Sequence, residues 1–137
     1  MQGYNLIMVY SPDRQRLLMC RRTKEPYLGL DNLPGGKIER GEAGLDAAYR
    51  ELAEETGITQ TDIALKTLMT FDYPWQGCYV EVYVGQLVHP VNLRPTEHPL
   101  YWSDLEQDFF DTSRYAGEGN IGHMVEQVRL YAQEIFS

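Results

Sequence analysis

The sequence predicts an α/β fold in which a mixed β-sheet lies between helices. Two observations support this fold class. Short β-type patterns stand on both sides of one long helical pattern, over 44–56, and a second helical pattern closes the chain over 120–135. The chain contains no internal repeat, low-complexity tract or linker-like stretch. We therefore predict that residues 1–137 form a single domain, which is long enough to bury a hydrophobic core.

The charge balance limits the partners of the chain. The net charge is −8 and the sequence pI is near 4.8, so no basic surface is available to displace counterions from a nucleic acid polymer. No apolar run approaches the roughly 18 residues of a membrane span, and we predict a cytoplasmic location. Cys20 and Cys78 cannot build a disulfide framework. The composition leaves a homodimer open.

The chain begins with a predicted β-hairpin. Tyr4–Tyr10 and Arg16–Arg22 are short, apolar, β-rich runs, and a Ser-Pro-Asp turn separates them. The next stretch, 25–36, is rich in turn formers and ends in Leu-Pro-Gly-Gly. Glycines at this place let the backbone approach a ligand closely. This loop leads into the first helix.

The first helix is predicted over Gly44–Thr56, with Gly57 as the residue that ends it in a left-handed conformation. Apolar residues recur at the i, i+3, i+4 and i+7 positions of this helix. This spacing predicts a buried stripe that packs on the sheet and leaves acidic side chains on its flank. The stripe consists of Leu45, Ala48, Tyr49 and Leu52.

The second half of the chain contains three β-type segments and the last helix. Residues 63–73 have β character and run into a hairpin turn, and Tyr79–Val84 alternates so that its valines should face the core. Leu100–Trp102 is the last predicted strand. Asn120 is a favourable N-cap for the final helix. The buried stripe of that helix is predicted to contain Ile121, Val125, Val128, Ala132 and Ile135.

The first helix carries a dense group of carboxylates. Glu51, Glu54 and Glu55 stand at i, i+3 and i+4, so one helical turn brings them to one side, where like charges repel. Two interpretations are open. The group is either a solvated acidic face or a site for a hard divalent cation such as Mg²⁺, whose preferred ligands are carboxylate oxygens.

A longer spaced pattern surrounds these glutamates. It reads Gly, five residues, Glu, seven residues, Arg-Glu-aliphatic-x-Glu-Glu-x-Gly-aliphatic, over 36–58. This pattern resembles the signature of the Nudix hydrolases without a departure, and a chance match of its seven invariant positions is on the order of 10⁻⁹ per start point. The fixed positions are Gly36, Glu42, Arg50, Glu51, Leu52, Glu54, Glu55, Gly57 and Ile58.

The resemblance implies a Nudix-type α/β/α sandwich and a Mg²⁺-dependent hydrolase, with Mn²⁺ as a substitute cation. Glu54 and Glu55 would be metal ligands, and Glu51 would be a ligand or the general base. The carbonyl oxygen of Gly35 is a further ligand implied by the family. The reaction implied is hydrolysis of a nucleoside diphosphate linked to another group, and the partner is therefore a small nucleotide.

The resemblance also assigns supporting residues. Arg50 would bridge to Glu42 and hold the geometry of the carboxylates. Glu97 stands where relatives often carry a glutamate that approaches the metal from the opposite side, which makes it the alternate general base. His89, His98 and His123 share no ligand spacing and are expected to be structural or surface residues. The substrate-binding candidates are Arg21, Asn32, Phe71, Tyr79, Tyr115 and Asn120.

Each substrate-binding candidate has an alternative structural role. Arg21 belongs, with Arg22 and Lys24, to the densest basic group of the chain, which either is a solvated strand end or contacts substrate phosphates. Asn32 stands where purine-triphosphatase relatives contact the base, but Asn is also a common loop residue. Phe71 and Tyr79 would wall a base pocket or simply pack on the sheet. The remaining two flank the loop before the last helix, which supplies base-recognition residues in relatives.

Three functions remain open at this stage. The short chain and Asn32 favour the MutT-like branch, in which a (deoxy)nucleoside triphosphate, such as the oxidised purine 8-oxo-dGTP, yields a nucleoside monophosphate and pyrophosphate. Pro74 follows the box by 16 residues, a spacing associated with ADP-ribose pyrophosphatases. A nucleotide-sensing module that binds without turnover is the alternative from another class, although such domains usually lose box carboxylates.

Overall fold

The computed structural model describes residues 1–137 and contains six strands and three helices. The strands are β1 (Gln2–Tyr10), β2 (Arg16–Arg21), β3 (Asp31–Asn32), β4 (Lys66–Tyr73), β5 (Cys78–Gln86) and β6 (Leu100–Asp104). The helices are α1 (Gly44–Thr56), α2 (Asn120–Leu130) and α3 (Ala132–Ile135). None of the helices is both long enough and apolar enough to cross a membrane.

The strands form one mixed sheet in the order β3-β2-β1-β5-β4, and β6 pairs with β2. The β1–β5 pair is parallel and the other pairs are antiparallel, so the predicted mixed sheet is confirmed. The two strands of the first hairpin pair at Tyr10 and Leu17, next to the turn, and they diverge with distance from the turn. Farther from the turn, the backbone of β1 forms hydrogen bonds with the glycine-containing loop instead of with β2. For example, the Asn5 N–H donates to the carbonyl oxygen of Gly36 at 2.8 Å.

Helices cover both faces of the sheet and enclose two hydrophobic clusters. Met8 and Val82 lie in the cluster against α2, and Ile7 and Leu52 lie in the cluster against α1. The valines of β5 face α2, as their alternation predicts. Tyr83, on the opposite face of the same strand, is also buried, because α1 covers that side. The α/β sandwich predicted from the sequence is therefore confirmed.

The first helix has the predicted bounds but is rotated relative to the predicted stripe. Leu45 is 42% exposed, whereas Ala47 is buried. The side of α1 that faces the sheet is centred near Ala48 and turned towards Glu51, which is half-buried. This rotation corrects the prediction for Leu45, and it brings acidic side chains towards the protein interior instead of leaving them in solvent.

The C-terminal helix also departs from its prediction. It is interrupted at Tyr131 and continues as α3. Gly119, in a left-handed conformation with φ of 91°, is the N-cap, and Asn120 is the first helical residue. The predicted cap at Asn120 is therefore wrong. Its side chain is free for another partner, the hydroxyl of Tyr73 on β4.

Candidate active site

A cleft of about 820 Å³ opens where β1 and β2 diverge. We call one part of it the carboxylate end, which contains Gly35, Gly36, Glu55, Arg22 and His98. We call the other part the aromatic end, which contains Tyr27, Phe71, Tyr73, Glu118 and Asn120. A second depression, of about 450 Å³ and with three phenylalanines in its wall, holds none of the predicted site residues. The larger cleft is thus the candidate site.

Two glycines bring the loop after β3 into contact with α1 and β1. The Gly35 N–H donates to Glu55 Oε2 at 3.1 Å, and Asn5 Oδ1 accepts the Gly36 N–H at 3.0 Å. A Cβ on Gly35 would overlap the backbone oxygen of Asn5, and a Cβ on Gly36 would overlap the carboxylate of Glu51. Close approach to the backbone therefore requires glycine at position 35, whereas a side chain at position 36 would displace the Glu51 carboxylate. Two carboxylates thus lie beside this loop.

Arg50 organises the carboxylates on α1. Its Nε donates to Glu42 Oε2 at 2.7 Å and its Nη2 donates to Glu42 Oε1 at 2.9 Å, a two-bond geometry that fixes the plane of the guanidinium. Its Nη1 donates to Glu51 at 3.1 Å and lies 3.3 Å from Glu54. The arginine therefore holds both carboxylates in place while Glu55 stands apart, hydrogen-bonded only to Gly35.

Burial makes the carboxyl groups of Glu51 and Glu55 difficult to ionise. Burial, together with the nearby charges of Glu51 and Glu97, raises the pKa of Glu55 to about 7, although the hydrogen bond from Gly35 opposes the shift. Burial also raises the pKa of Glu51, although Arg50 opposes the shift. A carboxylate that is hard to ionise for these reasons would be stabilised in its charged form by a cation placed beside it.

The carboxylate end offers ligand atoms of the chemical type that a hard divalent cation prefers. No three acidic, histidine or cysteine side chains converge on one point in this structure, since Arg50 occupies Glu51 and Glu54. The available donors are nevertheless oxygens of the type that Mg²⁺ prefers. The carbonyl oxygens of Pro34 and Gly36 are bonded to β1, whereas that of Gly35 accepts no hydrogen bond. The metal assignment stays a prediction.

Glu97 lies on the loop before β6. Its carboxylate forms an ion pair with Lys24, which holds its pKa below the usual range. Its charge influences Glu55, although its side chain is not part of the cleft wall. Glu97 therefore stands close to the carboxylate end with its own counter-ion.

The aromatic end combines rings with paired polar groups. Asn120 Nδ2 donates to the hydroxyl of Tyr73, and the Tyr27 hydroxyl donates to Glu118 Oε1 at 2.9 Å. Phe71 packs beside the ring of Tyr73 with centroids 6.5 Å apart. These rings and amide groups offer stacking surfaces and hydrogen-bonding groups of the kinds that recognise a nucleobase.

The structure brings some predicted residues into the cleft and leaves others outside. The cleft wall contains Gly35, Glu55, Asn32, Phe71 and Asn120. Asn32 Oδ1 accepts the backbone N–H of Leu33 at 2.8 Å, so its amide group is held by the loop. Arg50, Glu51, Glu54 and Glu97 are not in the wall.

Three substrate-binding candidates do not reach the cleft. Arg21 donates to the buried carboxylate of Asp31 at 2.7 Å. Tyr79 covers Gly3 on the face of the sheet opposite to Phe71, because neighbouring strand residues point to opposite faces. Tyr115 is buried against Phe109, with ring centroids 5.1 Å apart. These assignments are corrected by the placement of the side chains.

Sequence reasoning missed several residues of the wall. Arg22, which belongs to the predicted basic group but was not among the substrate-binding candidates, lies in the cleft because successive strand residues alternate in direction. Asn5 is buried and has an unpartnered Nδ2. Tyr27 and Glu118 meet although they are 91 positions apart. Only the alternation of Arg21 and Arg22 was visible in the sequence, and the other contacts depend on the fold.

Comparison with known families and proteins indicates the same family as the spaced pattern of the sequence. The NUDIX domain model matches residues 2–113. An RNA pyrophosphohydrolase of Ruthia magnifica is 37% identical over 53% of this chain and 42% of its own length. An 8-oxo-dGTP diphosphatase of Escherichia coli is 33% identical over 45% of this chain and 49% of its own length. The chain thus spans less than half the length of these two relatives.

A longer match and two solved structures extend the comparison. A mouse oxidized purine nucleoside triphosphate hydrolase is 30% identical over 76% of this chain and 67% of its own length. A MutT structure from work on Aliivibrio salmonicida and Vibrio cholerae has a TM-score of 0.74 at 19% identity, covering 94% of this chain and 98% of the other. The NUDIX domain of Shewanella oneidensis NrtR, complexed with ADP ribose, has a TM-score of 0.72 at 20% identity, covering 95% and 87%.

Proposed function

The chain belongs to the NUDIX domain family and has MutT-like relatives, and from this premise we propose that it hydrolyses a phosphoanhydride bond in a nucleoside diphosphate derivative with Mg²⁺ as cofactor. The observation that carries the proposal is the carboxylate end of the cleft. There the carboxyl group of Glu55 has a raised pKa. It accepts a hydrogen bond from the backbone N–H of Gly35 in the glycine-containing loop. Mn²⁺ is the proposed substitute cation.

The protein residues have distinct tasks in this reaction. Arg50 keeps Glu51 and Glu54 in position through its bonds to Glu42. The glycine loop lets phosphate oxygens approach its backbone without a side chain in the way. Glu51 is proposed as a metal ligand or as the general base, with Glu97 as the alternate base, since both lie near Glu55 without being paired to it.

The proposed cation would be held by Glu51, Glu54 and Glu55 with the carbonyl oxygen of Gly35. When bound, a divalent cation neutralises phosphate charge and makes water more acidic. The free carbonyl of Gly35 and the raised pKa of Glu55 support this assignment. Asn5 would keep the loop in place through its bond to Gly36.

We propose a (deoxy)nucleoside triphosphate as the substrate, with an oxidised purine such as 8-oxo-dGTP as the specific case. The products would be a nucleoside monophosphate and pyrophosphate. Support comes from the relatives named for such activities and from Asn32, Phe71 and Asn120 in the wall of the cleft. These three side chains supply one aromatic face and two amide groups, which suit a purine.

The second substrate class is ADP-ribose or another nucleotide sugar. One support is the resemblance in fold to a domain complexed with ADP ribose. The other is the position of Pro74, 16 residues after the box, where it begins the short turn between β4 and β5. A sensing module without turnover remains the proposal from another class. We also propose that residues 1–137 act as one domain, since both hydrophobic clusters share the same sheet.

The experiment that tests the proposed function is a substrate panel with purified protein and Mg²⁺. The panel compares 8-oxo-dGTP, dGTP and ADP-ribose by kcat/KM, and the products are identified by chromatography. We expect the highest kcat/KM for 8-oxo-dGTP, with a nucleoside monophosphate and pyrophosphate as products. Tight nucleotide binding without any product would favour the sensing module and overturn the hydrolase.

A further inference from the structure

Asp31 on β3 has a buried carboxylate whose partners lie on three other segments of the chain. Its side chain is 1% exposed, and a charge in such a place must be paired. Arg21 on β2 donates from Nε to Oδ1 at 2.7 Å, and the hydroxyl of Tyr101 on β6 donates to Oδ2. Nε of Arg114, on the loop between β6 and α2, lies 3.8 Å from Oδ2 in an ion pair. The carboxylate thus connects β2, β3, β6 and this loop.

The backbone of Asp31 is bonded to the same loop. Its N–H donates to the carbonyl oxygen of Arg114 at 2.8 Å, and its carbonyl oxygen accepts the N–H of Ala116 at 2.9 Å. These two bonds lie on either side of Tyr115, which is buried in the core. Asp31 is not part of the cleft wall. Any effect of this residue on the cleft must therefore pass through the segments that it holds.

The chain enters the cleft wall directly after these bonds. We call residues 117–120 the wall segment, because Gly117, Glu118 and Asn120 all line the cleft. Gly117, Glu118 and Gly119 have φ values of 89°, 54° and 91°, so three left-handed residues follow one another. A glutamate in this conformation costs free energy, and it persists only where the surrounding structure holds the backbone.

The wall segment is held at both of its ends. At the C-terminal end, Asn120 Nδ2 donates to the hydroxyl of Tyr73 as α2 begins. At the N-terminal end are the two bonds to Asp31, which are the only backbone hydrogen bonds that join 105–119 to a segment distant in sequence. The position of Glu118 therefore depends on Asp31.

The stability of the fold alone does not account for this buried charge. Replacement of a buried ion pair by apolar side chains is often neutral or stabilising. Charged hydrogen bonds to a carboxylate do, however, impose a defined direction on each partner. Asp31 is followed by Asn32, which lies in the cleft wall. The arrangement thus fixes the wall segment relative to β3 and to the loop that follows it.

We infer that Asp31 is a positioning residue for nucleotide recognition, which places Glu118 and Asn120 beside the substrate without touching the substrate itself. The inference rests on the proposed function for the presence of a nucleotide at the aromatic end. It also gives Arg21 the task of holding the Asp31 carboxylate. The sequence did not indicate Asp31, because partners such as Tyr101 lie 70 positions away.

The first test measures amide hydrogen exchange by NMR in wild type and in Asp31→Asn, which keeps the size of the side chain but removes its charge. We expect exchange at least about tenfold faster at Ala116 and Asn120, on either side of the left-handed residues. Exchange at Gly57, which ends α1, should not change. Equal acceleration at all three amides would show a general loss of stability, and no acceleration at Ala116 would show that the carboxylate does not hold the loop. Either result would overturn the inference.

The second test measures affinity by calorimetry with 8-oxo-dGMP, the proposed product, and with inorganic pyrophosphate, both with Mg²⁺. We expect the Kd of 8-oxo-dGMP to rise about tenfold in Asp31→Asn and that of pyrophosphate to stay unchanged, because pyrophosphate has no base for the aromatic end. In turnover, KM should rise by the same factor at constant kcat. Asp46→Asn, at an exposed aspartate on α1 outside the cleft, is the matched control.

A milder variant keeps the inference testable if Asp31→Asn does not fold. Tyr101→Phe removes one donor to the carboxylate and leaves both arginines in place. We expect it to raise the Kd of 8-oxo-dGMP about threefold, again without an effect on pyrophosphate. An equal loss of affinity for both ligands in either variant would contradict a role in recognition of the nucleoside.

These results separate the inference from the proposed function. If wild type hydrolyses nucleotides while Asp31→Asn and Tyr101→Phe bind 8-oxo-dGMP as tightly as wild type, the positioning role is wrong and the hydrolase stands. If wild type releases no product but the variants lose affinity for 8-oxo-dGMP alone, the positioning role stands and the proposed hydrolase fails.

Discussion

The two ends of the cleft are built in different ways. The carboxylate end takes Gly35, Gly36 and Glu55 from one loop and the helix that follows it, whereas Arg22 and His98 of the same end come from other segments. The aromatic end draws its residues from segments that are far apart in the sequence. Tyr27 meets Glu118 there, across 91 positions. Spacing along the chain therefore identifies the loop and the helix of the carboxylate end, but it identifies neither the contribution of Arg22 and His98 nor the aromatic end.

The two ends also differ in their electrostatics. Beside the glycine loop, burial raises the pKa values of Glu51 and Glu55, so a cation bound there would favour the ionised forms of both carboxyl groups. At the aromatic end, polar groups are already paired, as in Asn120 with Tyr73. This contrast supports our proposal that the first end carries catalysis and the second end carries recognition. Variants at the first end should change kcat, and variants at the second should change KM.

The largest expected effect is on turnover, at the carboxylate end. Glu55→Gln removes a proposed metal ligand while keeping the size of the side chain, and we expect kcat to fall by about 1000-fold with the fold intact. Glu54→Gln should cause a comparable loss. Circular dichroism checks the fold, and Glu106→Gln, at an exposed glutamate outside the cleft, is the control. A Glu55→Gln enzyme with near-wild-type kcat would remove Glu55 from the catalytic set.

The second effect is on stability as a function of pH in metal-free protein. Folding raises the pKa of Glu55 from 4.5 to about 7, so the unfolded state loses its proton first as pH rises. The free energy of unfolding should therefore fall between pH 4.5 and 7, by up to about 3 kcal/mol from this group. Denaturant unfolding in EDTA, compared with Glu55→Gln, measures it.

This pH dependence has its own control. The difference in unfolding free energy between wild type and Glu55→Gln should change by the stated amount between pH 4.5 and 7, because glutamine does not titrate. Mg²⁺ should reduce the difference at pH 7 by stabilising the ionised carboxylate. A difference that is the same at both pH values would show that Glu55 is not buried in the way the structure describes.

The third effect belongs to the aromatic end. Phe71→Leu keeps an apolar side chain against the core but removes the aromatic face, and loss of one base–aromatic contact costs about 1–3 kcal/mol. We expect KM for the purine substrate to rise about tenfold while kcat changes little. Trp75→Ala, on the neighbouring turn and 99% exposed, is the control. A fall in kcat at constant KM would contradict the division of the cleft into two ends.

The smallest effect is expected at the rim of the aromatic end. Tyr27→Phe removes the hydroxyl that donates to Glu118 Oε1 at 2.9 Å. Because this bond is exposed, its loss should be modest, and we expect KM to rise about threefold with kcat unchanged. Tyr131→Phe, at an exposed tyrosine that ends α2, serves as the comparison. Equal KM values for both variants would mean that the rim contact has no part in recognition.

The same contrast explains how much was predictable from the sequence. The bounds of α1, its end at Gly57 and the first hairpin follow from local patterns, and the structure reproduces them. The stripe on α1 was only partly correct: Leu45 is exposed because the helix is rotated towards Glu51. Periodicity gives the width of an apolar face, but the neighbouring strands decide its final orientation.

The site residues show the same limit. Gly35 and Glu55 were named from the spaced box and the loop just before it, which are local patterns. The place of His98 in the cleft wall depends on Arg22 and Thr23, which lie more than 70 positions away. Asn120 lies in the cleft wall, where it bonds to Tyr73 and does not cap the helix, and its role in substrate binding stays a prediction. Tyr115 was misplaced because an aromatic residue near a loop can equally enter the core, where it is found.

The most direct measurement of the central claim is the kcat/KM of wild type and Glu55→Gln for 8-oxo-dGTP, with Mg²⁺ and product identification. We predict that wild type releases a nucleoside monophosphate and pyrophosphate. We also predict that Glu55→Gln retains nucleotide binding but loses about 1000-fold in kcat. Turnover by Glu55→Gln at the wild-type rate, or nucleotide binding by wild type without any product, would contradict the claim that the carboxylate end performs hydrolysis.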